Sequence, residues 1–141
     1  MNDKEKKYNE FYMDVAKRAA QMSYAERRKV GAVIVKNGNI ISTAWNGTPS
    51  GFDNCCEDVL DDGTTKTKPS VVHSEMNSIL KLAKGTESGN GATMYCTLSP
   101  CMDCAKAIQG AGIKEVFYDE VYRDASGIDF LKHCGINVTK L

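Results

Sequence analysis

The chain has 141 residues, and its 18 lysines and arginines are balanced by 18 aspartates and glutamates. That length fits one compact domain, 1–141, with a real hydrophobic core, and the even charge removes the field by which a dedicated duplex-binding protein draws in its partner. No apolar run reaches membrane-spanning length and the polar start, Met1-Asn2-Asp3-Lys4-Glu5, is no signal peptide, so the expectation is a soluble, cytoplasmic protein with reduced cysteines and no nucleic-acid or membrane partner.

Tyr8, Phe11, Tyr12, Val15, Ala16, Ala19 and Met22 recur at three- and four-residue steps. This predicts a first helix with one apolar stripe in the core and Lys17, Arg18 and Gln21 on its wet side. Two β-branched runs, 30–35 and 40–45, flank Asn37-Gly38 and predict a β-hairpin. From 46 to 70, glycine, proline, aspartate and lysine break the pattern, so a long loop is expected, its charged stretch 58–68 simply solvated. A helix over 74–84 follows, with Met76, Ile79, Leu80 and Ala83 on one face. Then come a strand over 92–98, a helix over 102–109, a strand over 115–118, a helix over 126–134 and a last strand over 135–138. The order αββαβαβαβ predicts an α/β fold in which parallel strands join one antiparallel hairpin, with helices on both faces. Cys96, alternating in a strand, and Cys134, at an apolar helix end, are expected in the core.

Two short motifs, His73-Ser74-Glu75 and Pro100-Cys101-Met102-Asp103-Cys104, each fall where a loop or strand becomes a helix. Cysteines three apart on a first helical turn point the same way, so both sulfurs can meet one ion. His73, Cys101 and Cys104 make three nitrogen and sulfur donors for zinc, and the only other histidine, His133, lies far along the chain. Three protein ligands with an open fourth position define a catalytic zinc site. The positive end of each helix dipole helps keep the thiolates ionised. Glu75, two residues beyond His73, is placed to relay protons without being a ligand. A purely structural site, as in a zinc-stabilised binding module, has no use for it.

The two motifs are the H-x-E and P-C-x-x-C signature of zinc-dependent nucleobase deaminases. Across nearly its whole length the chain further resembles the deoxycytidylate deaminase family, phage-type members above all. The resemblance is carried by Val30-Gly31-Ala32-Val33-Ile34-Val35, Trp45-Asn46-Gly47-Thr48-Pro49-Ser50-Gly51, Val72-His73-Ser74-Glu75-Met76-Asn77 and Thr97-Leu98-Ser99-Pro100-Cys101-Met102-Asp103-Cys104. It departs from that family at Ala44-Trp45, where Gly-Tyr is usual, and at Ser74, where alanine is frequent. Some relatives carry a second zinc before the histidine motif; Cys55-Cys56 echoes it but lacks further donors.

The resemblance implies a three-layer α/β/α fold with a mixed five-stranded sheet. It implies deamination of dCMP to dUMP, which supplies thymidylate synthesis, with Glu75 moving the protons. It assigns the 5′-phosphate to Arg28, Tyr122 and Arg123, the sugar side to Asn46, and the substrate amino group to the backbone carbonyl of Ser99. It further implies a homohexamer activated by dCTP with Mg2+ and inhibited by dTTP, with Lys84 at a regulatory position. Deamination of another cytosine nucleotide such as dCTP, or of adenine in tRNA or guanine, is the nearest alternative.

Overall fold

In the computed structural model, which describes residues 1–141, helix α1 (Asp3–Ala20) opens on a capping box. Asn2 Oδ1 accepts from the Glu5 N–H at 2.9 Å, and the Glu5 carboxylate accepts from the Asn2 N–H at 3.1 Å. Strands β1 (Gly31–Lys36) and β2 (Asn39–Trp45) turn at Asn37-Gly38, both with positive φ (51° and 78°) as a two-residue hairpin requires. After a short hairpin, β3 (Glu57–Val59) and β4 (Thr65–Thr67), the chain continues as α2 (Ser74–Ala83), β5 (Thr93–Leu98), α3 (Met102–Gly110), β6 (Glu115–Glu120), α4 (Ser126–His133) and β7 (Asn137–Lys140). No helix is long and apolar enough to cross a membrane.

The main sheet has the order β2-β1-β5-β6-β7, antiparallel across β2-β1-β5 and parallel across β5-β6-β7. It is the expected mixed five-stranded sheet. Alternation along each strand splits the core in two. Ala32, Ile34, Met94, Cys96 and Val116 face one side and meet Leu82 of α2, Ala105 and Ile108 of α3 and Leu131 of α4. Val33, Val35, Tyr95 and Phe117 face the other side and meet Tyr12, Met13 and Ala16 of α1. Three layers result, with α1 alone on its face.

Four expectations need correction. Tyr8, Phe11 and Met22 are exposed, and Met13 and Ala20 are buried in their stead. The reason is a close approach between α1 and β1, where a Cβ on Gly31 would lie 2.1 Å from the Ala16 carbonyl oxygen. Contact is thus centred on the small residues, and the outer aromatic rings fall at its margin. The long loop contains the β3–β4 hairpin, whose three-residue strands are too short and polar to show a period. The last strand starts at Asn137. Cys134 is exposed at the C-terminal cap of α4, while Cys96 is buried as expected.

Because β1 is antiparallel to both neighbours, its start lies beside the ends of β2 and β5, with Gly31 opposite Trp45 and Ala32 opposite Cys96. Parallel pairing sets the end of β6 beside the end of β5, with Leu98 opposite Glu120. One end of the sheet therefore gathers the chain around residues 28, 46, 99 and 122, the crevice where α/β proteins commonly bind ligands. Helix α4 buttresses that end through Gly127, where an added Cβ would meet the Pro100 carbonyl oxygen at 2.1 Å and the Cys101 carbonyl oxygen at 2.8 Å. Backbone cannot swing aside as a side chain can. Gly127→Ala is expected to cost roughly 2 kcal/mol and to lower the melting temperature by about 5 °C, which a thermal unfolding series will measure.

Candidate active site

The two motifs meet at the N-termini of α2 and α3. His73 is the N-cap of α2, Cys101 is the N-cap of α3, and Cys104 sits in the first turn of α3. His73 Nδ1 lies 3.5 Å from the Sγ atoms of both Cys101 and Cys104, and all three atoms fall within 4.8 Å of one another. A tetrahedral zinc ion, with Zn–N of about 2.0 Å and Zn–S of about 2.3 Å, needs a nitrogen–sulfur separation of about 3.5 Å. The donor set fits zinc. It is the sole cluster of three such donors in the chain. Cys55 and Cys56 instead donate to nearby backbone carbonyls, those of Glu57 (3.2 Å) and Asn54 (3.4 Å).

The electrostatics agree with that use. Hydrogen bonding from the Cys104 thiol, and then from His73, pulls the Cys101 thiol down to about 4. Cys104, the donor in that pair and buried, is pushed up. The contact with Cys101 likewise raises His73. These three groups share protons that a metal cation displaces on binding. Glu75, on the first turn of α2, is buried, and burial raises its pKa. Ser74 Oγ donates to Glu75 Oε1 at 2.5 Å, so the serine that departs from the family pattern touches the proposed proton carrier.

Above these groups opens a cleft of about 540 Å³. Its lining includes His73, Glu75, Cys101, Arg28, Asn46, Ser99, Tyr122 and Arg123, so residues from five separate stretches of sequence converge. Ser99 is buried; its carbonyl accepts no hydrogen bond from the chain, while its Oγ accepts from the Tyr122 N–H at 2.6 Å. The Arg123 guanidinium lies 5.7 Å from the centre of the Tyr122 ring, near enough for a cation–π contact. Arg28 is exposed and ion-paired with Glu120. Asn46 uses its amide on the chain itself, with Nδ2 donating to the Arg28 carbonyl and Oδ1 accepting from the Val30 N–H, both at 2.9 Å. Lys84 caps α2 at the end away from His73, about 16 Å along by helical rise, and does not border the cleft.

The β3–β4 hairpin also contributes to the cleft. Glu57 of β3, just before the charged stretch 58–68, is buried, while that stretch is solvated as expected and its exposed Lys66 and Thr67 of β4 border the cleft. Arg27 lines it as well. A carboxylate beside a glycine- and aspartate-rich segment looks like part of any wet loop; only the fold buries Glu57.

The family model for the cytidine and deoxycytidylate deaminase zinc-binding region matches residues 6–120. The chain is 37% identical to the deoxycytidylate deaminase of Enterobacteria phage T4, over 89% of this chain and 86% of that protein. It is 40% identical to the human deoxycytidylate deaminase, over 82% and 67%. Among solved structures, the dCMP deaminase of cyanophage S-TIM5 in complex with dCMP and dUMP superposes with a TM-score of 0.89 at 48% identity, covering 100% of this chain and 99% of that one.

Proposed function

Because the chain belongs to the cytidine and deoxycytidylate deaminase family, we propose that it hydrolyses dCMP to dUMP and ammonia with one zinc ion held by His73, Cys101 and Cys104. One observation carries this reading: His73 and Cys101 of the three-donor cluster and the buried Glu75 line a cleft that also bears Arg28 and Arg123. Zinc chemistry and a grip for an anionic substrate thus share one cavity. A buried carboxyl beside three metal donors supports proton transfer over a purely structural metal, since structural sites close all four positions.

When bound, zinc lowers the pKa of water towards neutrality and so supplies a nucleophile at physiological pH. Glu75 then does the proton work. Its carboxylate takes a proton from the attacking water and gives one to ring N3, which leaves C4 electrophilic. Water oxygen adds at C4; Glu75, again a carboxylate, takes the remaining proton from the new C4 hydroxyl and passes it to the amino nitrogen as the C4–N bond breaks and C4=O forms. Ammonia leaves and N3–H remains, so atoms and charge balance. A buried carboxyl with a raised pKa suits both directions of that exchange. The Ser99 carbonyl, free of partners in the chain, accepts from the amino group in this reading, and Arg28, Tyr122 and Arg123 hold the 5′-phosphate, Arg28 exchanging its Glu120 partner for it. Asn46 acts on the sugar side and, through its two backbone bonds, on the shape of the cleft wall.

Ammonia release from dCMP, dCTP, CMP and deoxycytidine tests the reading, with dCMP expected to give the highest kcat/KM. Arg123→Ala should lower the preference for dCMP over deoxycytidine about 10- to 100-fold, because a charge-assisted contact is lost for one substrate and not for the other. Equal handling of nucleotide and nucleoside by the wild type would favour a nucleoside deaminase, and dCTP as best substrate would favour a triphosphate enzyme.

A further inference from the structure

The segment between α1 and β1 carries Arg27, Arg28 and Lys29 and belongs to no helix or strand. Its backbone is held by side chains from elsewhere. Ser23 Oγ donates to the Asn46 carbonyl at 2.7 Å and accepts from the Ala25 N–H at 3.1 Å. Glu57 Oε2 accepts from the Glu26 N–H at 3.1 Å and the Arg27 N–H at 3.3 Å. Asn46 then fixes Arg28 and Val30, as described above. A basic stretch that would otherwise be a free loop is tied at both ends.

Glu57 is the unexpected member. It is 8% exposed, borders the cleft and forms no salt bridge. A buried carboxylate is costly unless it is well hydrogen-bonded, and in a cavity that must admit an anion it also opposes the ligand. The two backbone N–H groups account for its presence. They satisfy the charge and turn it away from a repulsive role into a tether on the residues that carry the positive charge.

Resting on the dCMP reading above, we propose that Glu57 is a positioning residue for 5′-phosphate recognition. By fixing the backbone at Glu26 and Arg27 it sets the direction in which the Arg27 and Arg28 side chains enter the cleft. Both guanidinium groups are thereby pre-aimed at a nucleotide monophosphate, and less ordering is required when the nucleotide binds. The role passes through the arginines; Glu57 itself does not touch the substrate.

The test uses the metal-loaded full chain and steady-state kinetics on dCMP and deoxycytidine for three variants. Glu57→Gln retains an oxygen at the same reach, so its KM for dCMP should stay within about threefold of wild type. Glu57→Asp retains the charge but withdraws the oxygens by one methylene; its KM for dCMP should rise about tenfold, with kcat changed far less. Glu57→Ala should do at least as much, and in both damaging variants the ratio of kcat/KM for dCMP over deoxycytidine should fall about tenfold. If Glu57→Ala does not fold, the contrast between Asp and Gln still decides. An unchanged ratio in Glu57→Asp overturns the proposal, as does a glutamine variant worse than the aspartate one, which would make charge and not reach the relevant property. A wild type that does not distinguish dCMP from deoxycytidine overturns the underlying reading itself and is recognisable before any variant is made.

Discussion

Replacing Glu75 with glutamine is expected to lower kcat on dCMP by about 10³-fold or more, because one positioned proton-transfer group contributes about 10²–10⁴-fold and this carboxyl serves several transfers. The substitution retains the buried volume, and the amide oxygen can still accept from Ser74 Oγ, so neither packing nor the local hydrogen bond offers another explanation for the loss. KM should move little, since the lost interactions belong to the transition state. Metal content and the thermal unfolding midpoint should match the wild type. Turnover within about tenfold of wild type in Glu75→Gln would remove this residue from proton transfer, whatever its burial.

Cys101→Ser tests the metal itself. A serine hydroxyl is far less acidic than a thiol whose pKa already sits at about 4, so the variant presents a neutral, hard donor where the ion needs a soft anionic one. Elemental analysis should find about one zinc per chain in the wild type and almost none in Cys101→Ser, with activity lost at least as fully as in Glu75→Gln. Cys55→Ser should retain its zinc, because Cys55 is exposed and hydrogen-bonded to the Glu57 carbonyl, away from the three-donor cluster. Zinc retained in Cys101→Ser, or lost from Cys55→Ser, would contradict the assignment. Removing the ion from the wild type with a chelator should also lower its melting temperature, since a ligand that binds only the folded state stabilises it.

Much of the fold was legible because its signals are periodic and local. The β-branched run of 30–35, the Asn37-Gly38 turn and the strand–helix rhythm after residue 92 each follow from short-range chemistry, and together they specify the mixed sheet. The metal donors were legible for a different reason: two cysteines three apart and a histidine two before a glutamate form a pattern with few other uses. Burial was harder. Tyr8 and Phe11 carry the correct helical spacing, yet the contact settles on Ala16 because the glycine of β1 draws the helix inward there. Cys134 satisfies an apolar pattern and ends on a surface cap. The role of Glu57 was not legible at all, for it depends on backbone groups of residues 26 and 27, thirty positions away, that carry no side-chain signature. Asn46 was expected to face the sugar; its two bonds to the backbone of Arg28 and Val30 tie it as firmly to the loop.

Every group in the proposed chemistry hangs from one end of the sheet, and the opposite end is correspondingly unburdened. There Thr86 and Glu87 are exposed between α2, which runs away from the cleft, and β5, which runs back to it. The six residues of β5 separate that tip from Ser99 by roughly 20 Å. An exposed polar loop tip of this kind accepts inserted sequence readily. A fluorophore attachment site, an affinity handle or a fused reporter placed between Thr86 and Glu87 can therefore follow the protein in solution or anchor it to a surface while the cleft stays open to nucleotide.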